Sequence, residues 1–105
     1  MAETYKKLSQ GQVAASAANI HTGISTGTTI IRHMRFVNTH NATLALTLHH
    51  DGTADTNQIL PPTNIAAGGW AEFDGVIIME ASDTLKASTG TASKISYAIY
   101  GLELT

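Results

Sequence analysis

Several groups of residues in the 105-residue sequence are of types that could carry out chemistry. Residues 23–27 read GISTG and have the letters of the G-x-S-x-G nucleophile elbow. That elbow needs a strand before the serine, a helix after it, and an acid and a histidine later in the chain. The residues after Gly27 instead have the pattern of a strand. We therefore interpret this segment as a Gly-Ser-Thr loop and expect no catalytic residues.

The five histidines, His21, His33, His40, His49 and His50, could supply metal ligands. Neighbours on a strand point to opposite faces, so His49 and His50 cannot easily share one ion. His33 and His49 could form a two-histidine site if their strands paired. The alternative is that the histidines are polar residues at a strand end, on the surface or at a subunit contact. We expect no metal and no other cofactor.

The acidic residues also lack a recognisable site. Residues 51–57 do not match the calcium-loop pattern D-x-[DN]-x-[DN]-G-x5-E and are typical of an Asx- and glycine-rich loop. Glu80 and Asp83 flank a predicted turn, without the sugar cleft that a glycosidase pair requires. Four aromatic residues could offer a stacking face to a sugar or a base, although such residues more often belong to a core and its rim: Trp70, Phe73, Tyr97 and Tyr100.

The composition describes one small domain with few charges. Charged residues make up 13% of the chain and the net charge is −2, whereas about 25% charged residues is typical of soluble domains. Without a clustered basic surface, we expect no binding to nucleic acid or membranes. The absence of cysteine excludes disulfides and thiolate chemistry. The absence of cysteine also fits folding in a reducing cytoplasm. The opening MAETYKKLSQGQ has no apolar segment, so we expect that it is not a secretory signal.

The hydrophobic pattern predicts strands rather than helices. The clearest strand covers residues 43–49, where Leu44, Leu46 and Leu48 alternate with more polar residues. Period-two alternation of this kind marks a strand with one buried face. The leucines are therefore our candidate core face.

Residues 28–38 also alternate. Ile30, Met34 and Phe36 fall on one face of the predicted strand, and Arg32 interrupts that face. Further strands are predicted at residues 58–60, which should end at Pro61-Pro62, at 70–73 and 76–79 around an Asp74-Gly75 hairpin, at 84–88 and at 94–104.

About seven to eight short strands with frequent turns predict an all-β fold. We expect a single small antiparallel β-sandwich that is jelly-roll-like. Residues 20–105 would form the sandwich, and residues 1–19 an extended N-terminal arm or edge strand. The arm is the candidate for reaching a neighbouring subunit.

Several segments that together span nearly the whole chain have a pattern seen in one group of proteins: the opening MAETYKKLSQGQ and residues 30–39, 60–62, 67–75, 80–87 and 97–103. They resemble small β-sandwich virion structural proteins of tailed bacteriophages. Residues 20–28 depart from that pattern, because the relatives tend to have a Val-Pro-Ala-Gly-like turn there. The departure puts the turn in doubt but not the fold.

The resemblance implies a non-enzymatic structural subunit of a phage virion, made in the host cytoplasm. The first expectation is a capsid decoration or cement protein that forms a homo-oligomer, a trimer in our expectation, and binds the major capsid protein lattice. The alternatives are a tail, baseplate or fibre component that binds a receptor or carbohydrate, and a free-standing lectin-like module. Partner-contacting residues are expected in the N-terminal segment: Tyr5, Lys6, Lys7, Leu8, Gln10 and Gln12.

Overall fold

A computed structural model describes residues 5–52 and 57–104 of the chain. No helix in this part of the chain has the length and apolar character to cross a membrane. Eight β-strands are present in the described residues: β1 (Lys6–Gln12), β2 (Ala18–Thr22), β3 (Thr28–Asn38), β4 (Leu44–His50), β5 (Gln58–Ile65), β6 (Trp70–Met79), β7 (Thr84–Thr89) and β8 (Ile95–Leu104).

The strands form two four-stranded sheets, which we call sheet A and sheet B. Sheet A has the order β1-β8-β3-β6, and sheet B has the order β2-β7-β4-β5. Every hydrogen-bonded pair is antiparallel, and β1 pairs with β8, β2 with β7, β3 with β6 and β4 with β5. This is the pairing of one long antiparallel ribbon rolled into two sheets, which defines a jelly roll. The predicted all-β, jelly-roll-like sandwich is confirmed.

The hydrophobic core lies between the two sheets. Leu44, Leu46 and Leu48 are all buried, as their alternation in β4 predicts. Fifteen buried side chains make up the core cluster: Val13, Ile20, Ile31, Met34, Phe36, Leu44, Leu46, Leu48, Ile65, Ile77, Met79, Leu85, Ala87, Ile95 and Ile99.

The predicted faces of β3 are wrong on the N-terminal side of Arg32. Met34 and Phe36 are buried as expected, but Ile31 is buried in place of Ile30. A β-bulge explains the change, because an extra residue moves all later side chains to the opposite face. Arg32, which interrupts the predicted face in the sequence, is that extra residue.

The register of β3 against β8 locates the bulge. Ile31 pairs with Gly101 and His33 pairs with Tyr100, so two steps along β3 match one step along β8. A side chain at Gly101 would collide with the carbonyl oxygen of Ile30. Glycine therefore permits the close approach of the two backbones beside the bulge.

Two further predictions about strand ends are wrong. Asp74-Gly75 does not form a hairpin but lies inside the continuous strand β6, where a register shift against β3 marks a second irregularity. Likewise β5 does not stop at Pro61-Pro62. Proline lacks a backbone N–H, but β5 is an edge strand and its register against β4 shifts at this point, and both features tolerate proline.

The N-terminal segment belongs to sheet A over part of its length. Residues 6–12 form β1, an edge strand that pairs with β8, and the boundary expected between residues 19 and 20 falls inside β2. Leu8 packs against the core and Val13 is fully buried. The side chain of Ser9 also donates a hydrogen bond to the backbone oxygen of Ile20, 2.7 Å away, which joins β1 to sheet B.

Candidate functional site

The large exposed apolar side chains of the described residues lie on or beside sheet A, on the side that faces away from the core. Trp70, Val76 and Ile78 come from β6, Tyr100 comes from β8, and Tyr5 immediately precedes β1. Each of them is between 42% and 65% exposed. We call the surface formed by these five residues and the polar side chains between them the outer face of sheet A. Exposed apolar patches, when contiguous, mark interaction sites, and this face concentrates the large exposed apolar side chains of the described residues.

Strand β6 contributes most of this surface because it alternates along its whole length. Ile77 and Met79 point into the core, and Val76 and Ile78 point to solvent. A half-buried strand would normally place polar residues at its solvent positions. Val76 and Ile78 depart from that pattern.

Arg35 and Trp70 form a stacked pair on the same face. The guanidinium carbon of Arg35 lies 4.7 Å from the centre of the Trp70 ring. An arginine over an indole is a favourable cation–π arrangement, and it fixes two long side chains in a defined geometry. Arg and Trp are also enriched among the residues that contribute most to protein interfaces.

A polar cluster around His33 continues the face. His33 Nε2 lies 3.0 Å from a carboxylate oxygen of Glu72, and Nδ1 lies 3.9 Å from one of Asp74. The His33 ring also lies beside Tyr100, with 6.3 Å between the ring centres. The Asp74 side chain is 88% exposed and therefore available to a partner.

A shallow depression lies on the β1–β8–β3 part of the outer face. Six residues line it: Gln10, Arg35, Val37, Ser96, Tyr97 and Ala98. A mixture of polar and apolar groups of this kind suits a small polar ligand.

The residues predicted to contact a partner occupy different environments at this edge of the sheet. Tyr5 is exposed and accepts a hydrogen bond of 3.2 Å from Arg32. The ammonium group of Lys6 forms an ion pair with Glu103. Lys7 is exposed and donates a 2.7 Å hydrogen bond to Gln10.

Leu8 and Gln12 differ in what they can offer a partner. Leu8 is partly buried and packs against the core. Gln12 is exposed at the end of β1, where it pairs with Ser96 of β8. In β6, the sequence pointed to Trp70 as a possible stacking residue but not to Val76 and Ile78, because valine and isoleucine could equally have belonged to a core face.

The possible two-histidine site is not formed. His33 belongs to sheet A and His49 to sheet B, so their strands do not pair. Within residues 5–52 and 57–104 there is no group of three or more His, Cys, Asp or Glu side chains placed to hold a metal ion. Residues 53–56, including Asp55 of the predicted polar loop, lie outside the described residues.

The acidic pair has a structural role at a turn. Asp83 accepts a 3.0 Å hydrogen bond from the backbone of Glu80 and lies 3.2 Å from Nε2 of His50.

Residues 23–27 form the loop between β2 and β3, and a strand rather than a helix follows. The aromatic residues are divided, since Phe73 and Tyr97 pack against the core whereas Trp70 and Tyr100 are exposed.

His21 gives the fold a pH dependence. Burial lowers the pKa of His21 below its usual value near 6.5, opposed in part by the charge of Glu103 and assisted by that of Lys6. Its Nε2 atom is buried and has no hydrogen-bond partner among residues 5–52 and 57–104. The unfolded chain therefore binds a proton on this histidine at a higher pH than the folded chain does, so stability falls as the pH drops below about 6.5.

We expect the His21→Gln variant to lose that part of the pH dependence. Urea unfolding at pH 7.5 and pH 5 measures it as the difference in free energy of unfolding between the two conditions. That difference should be smaller in the variant than in the parent protein. An unchanged difference would contradict the role of His21.

Comparisons with known proteins show the fold. A scan against protein-family models finds no match, and a search of curated proteins finds none either. The chain is similar to a subunit of Bacillus endospore appendages, which form a family of disulfide-linked pili, with a TM-score of 0.55 and 18% identity over 100% of this chain and 91% of that one.

A second similar structure is a chain of infectious bursal disease virus, strain Gx. The TM-score is 0.51 and the identity 14%, over 96% of this chain but only 32% of that one, so this chain spans about a third of its length. Identities this low show a shared fold alone. Both matches agree with the two-sheet architecture described above.

Proposed function

We propose that this chain is a non-enzymatic structural subunit of a tailed-phage virion, a capsid decoration or cement protein that oligomerises and binds the major capsid protein lattice to stabilise the head. The observation that carries the proposal is the outer face of sheet A, where Trp70, Val76 and Ile78 are exposed on one strand. The resemblance of the sequence to small phage virion proteins supports the same role. The two similar structures come from a pilus-like appendage and a virus, which fits a structural protein.

The mechanism follows from multivalency. A single small face of this kind gives only modest affinity, because association must first offset the loss of translational and rotational freedom. Several copies held together on one oligomer bind a lattice much more tightly than one copy does. A repeated shell offers symmetric sites, and each bound copy would bury contact area between neighbouring capsid subunits.

The test uses heads that lack this chain. The purified protein should bind them saturably and raise the temperature at which they release DNA. The double variant Val76→Lys/Ile78→Lys should fold normally, since both positions are exposed, and should lose most of this binding. Ala45→Lys is the matched control, because Ala45 is exposed on β4 of the other sheet.

If the double variant binds heads as well as the parent protein does, the outer face of sheet A does not contact the capsid. Binding lost equally in the Ala45→Lys control would show a general effect of added charge. Either result would contradict the proposed docking surface.

A second candidate function is a tail, baseplate or fibre component that binds a carbohydrate receptor. The depression lined by Gln10, Arg35 and Ser96 beside the Trp70 stack favours it, because sugar sites combine polar groups with aromatic faces. This function predicts saccharide binding by the isolated protein that is lost in Arg35→Ala. It also predicts few copies in each particle, confined to the tail.

A further inference from the structure

The edges of the two sheets differ in how well they are protected against pairing with another chain. Edge strands present unpaired backbone groups, and proteins block them with short strands, prolines, bulges or charges. In the described residues, β5 contains Pro61-Pro62 and β2 is short and irregular in register. Strand β6 is long and carries Trp70, Val76 and Ile78 at its exposed positions. Its residues 70–74 precede its own register shift and form a regular stretch of open edge, on which Glu72 and Asp74 are the charged residues.

The edges of sheet A run in opposite directions. Every strand of sheet A is antiparallel to the strand beside it. The strand direction therefore reverses three times between β1 and β6 in the order β1-β8-β3-β6. Strands β1 and β6 are consequently antiparallel to each other. A second copy can be placed beside the first in the same orientation. Strand β1 of the second copy then lies next to β6 of the first copy and antiparallel to it, and antiparallel strands form regular hydrogen bonds.

The register of sheet A aligns complementary side chains at this junction. Lys7 pairs with Tyr100, Tyr100 with His33, and His33 with Asp74, so these residues form one row across all four strands. Continuing the row into a neighbouring copy places its Lys7 opposite Asp74. Both side chains are exposed, and opposite charges facing each other stabilise a cross-strand pair.

The next two rows on the outer face also place compatible side chains opposite each other at this junction. Gln10, Ala98, Arg35 and Glu72 form one row, so Gln10 of the neighbour lies opposite Glu72. Their polar side chains can form a hydrogen bond. In the row beyond, Gln12 of the neighbour lies opposite Trp70.

We propose that a second copy of this chain pairs its β1 with β6, over residues 7–12 of one copy and residues 70–74 of the other. The register shift after Asp74 ends the regular pairing on β6 at that point. Strand β1 has its own register shift between Lys7 and Ser9, so the two rows are three residues apart on β1 and two on β6, and the proposed pairing includes a β-bulge there. This inference rests on the oligomerisation in the proposed function and identifies the surfaces that perform it. Strand addition of this kind derives affinity from main-chain hydrogen bonds and specificity from the side-chain rows.

The contact is head-to-tail, because two different edges meet. Head-to-tail contacts close into a ring or continue as a filament, depending on the rotation at each step. Either arrangement points the outer faces of all copies to the same side. The exposed Val76 and Ile78 of successive copies would then form one extended docking surface.

Cysteine cross-linking tests the pairing directly, because the chain has no cysteine of its own. The double variant Gln10→Cys/Glu72→Cys places one thiol on each edge, in the same row. On treatment of the purified protein with a short bis-maleimide, we expect a ladder of covalent dimers, trimers and higher species that ends at the ring size. The single variants Gln10→Cys and Glu72→Cys are the controls and should give no ladder.

Two outcomes would overturn the inference. One is a double variant that remains monomeric after cross-linking. The other is single variants that form cross-linked dimers as readily as the double variant, because this would mean that β1 pairs with β1 or β6 with β6. Charge reversal gives an independent readout. In the double-cysteine background, Lys7→Glu alone and Asp74→Lys alone should each suppress the ladder, and the two together should restore it. A ladder that is insensitive to these changes would contradict the Lys7–Asp74 register.

The result is separable from the proposed function. If the protein forms the cross-linked ladder but does not bind heads, the β1–β6 pairing is supported and the capsid role is contradicted. Saturable head binding by a protein that gives no ladder would reject the pairing and retain the role.

Discussion

Leu46→Asp is expected to abolish folding. Leu46 has 0% exposure at the centre of β4, and the strand lies between β7 and β5 in the interior of sheet B. Losing a buried leucine side chain costs about 2–5 kcal/mol. An unpaired carboxylate in the core adds several kcal/mol more or must take up a proton. The total is comparable to the whole stability of a domain of this size, about 5–15 kcal/mol.

Circular dichroism and urea unfolding of the purified variant provide the measurement. Ala45→Asp is the matched control, since it adds the same charge to the adjacent, exposed position of the same strand. We expect the control to unfold cooperatively within about 0.5 kcal/mol of the parent protein, as surface substitutions usually do. A soluble, cooperatively folded Leu46→Asp variant would show that β4 faces the opposite way.

Asn38→Asp is expected to produce the second largest effect. Asn38 is fully buried at the end of β3, and its amide nitrogen donates hydrogen bonds to the backbone oxygens of Ile65, at 2.8 Å, and Ala42, at 3.0 Å. Its side-chain oxygen accepts a 2.9 Å hydrogen bond from the backbone of His40. One side chain therefore joins sheet A to the end of β5 in sheet B and orders the loop between β3 and β4.

Aspartate has nearly the same shape but no donor for these two carbonyl oxygens. A buried acceptor left without a partner costs about 1–3 kcal/mol, and this applies to the carbonyl oxygen of Ile65. The hydrogen bond to Ala42 is only partly buried and its loss costs less, so we expect a total loss of about 2–4 kcal/mol at neutral pH. The buried carboxyl group should favour its protonated form, which can still donate one hydrogen bond. The stability deficit should therefore shrink as the pH is lowered.

Urea unfolding of Asn38→Asp at pH 7 and pH 4 measures both effects. Asn41→Asp is the control, because Asn41 is exposed in the same loop. We expect the control to change stability little at either pH. A deficit for Asn38→Asp no larger than that of the control would mean that the hydrogen bonds of Asn38 do not hold the two sheets together.

The sequence was sufficient to predict the fold class because alternation is a local signal. Leu44, Leu46 and Leu48 mark a buried strand face without any knowledge of the neighbours. The errors arose where a neighbouring strand decides the outcome. Arg32 could mark either a break in a face or a bulge, and the backbone of Gly101 across the sheet favours the bulge. Asp74-Gly75 suits a hairpin locally, but β3 pairs with the residues on both sides of it.

The candidate site was harder to predict for the same reason. The N-terminal residues were predicted to contact a partner because their segment is polar and weakly structured on its own, and the structure places Lys7 and Gln10 at a sheet edge. Val76 and Ile78 of β6 were missed, because they have the same residue types as a core strand. Only the packing of Ile77 and Met79 between the sheets shows which side of β6 faces solvent.

Cryo-electron microscopy of the intact particle, with this chain located and its copies counted, tests the central claim most directly. We predict many symmetric copies on the icosahedral head, with the outer face of sheet A against the major capsid protein. A handful of copies confined to the tail would contradict the cement role and support the receptor-binding alternative. Particles that lack the chain altogether would contradict a virion role.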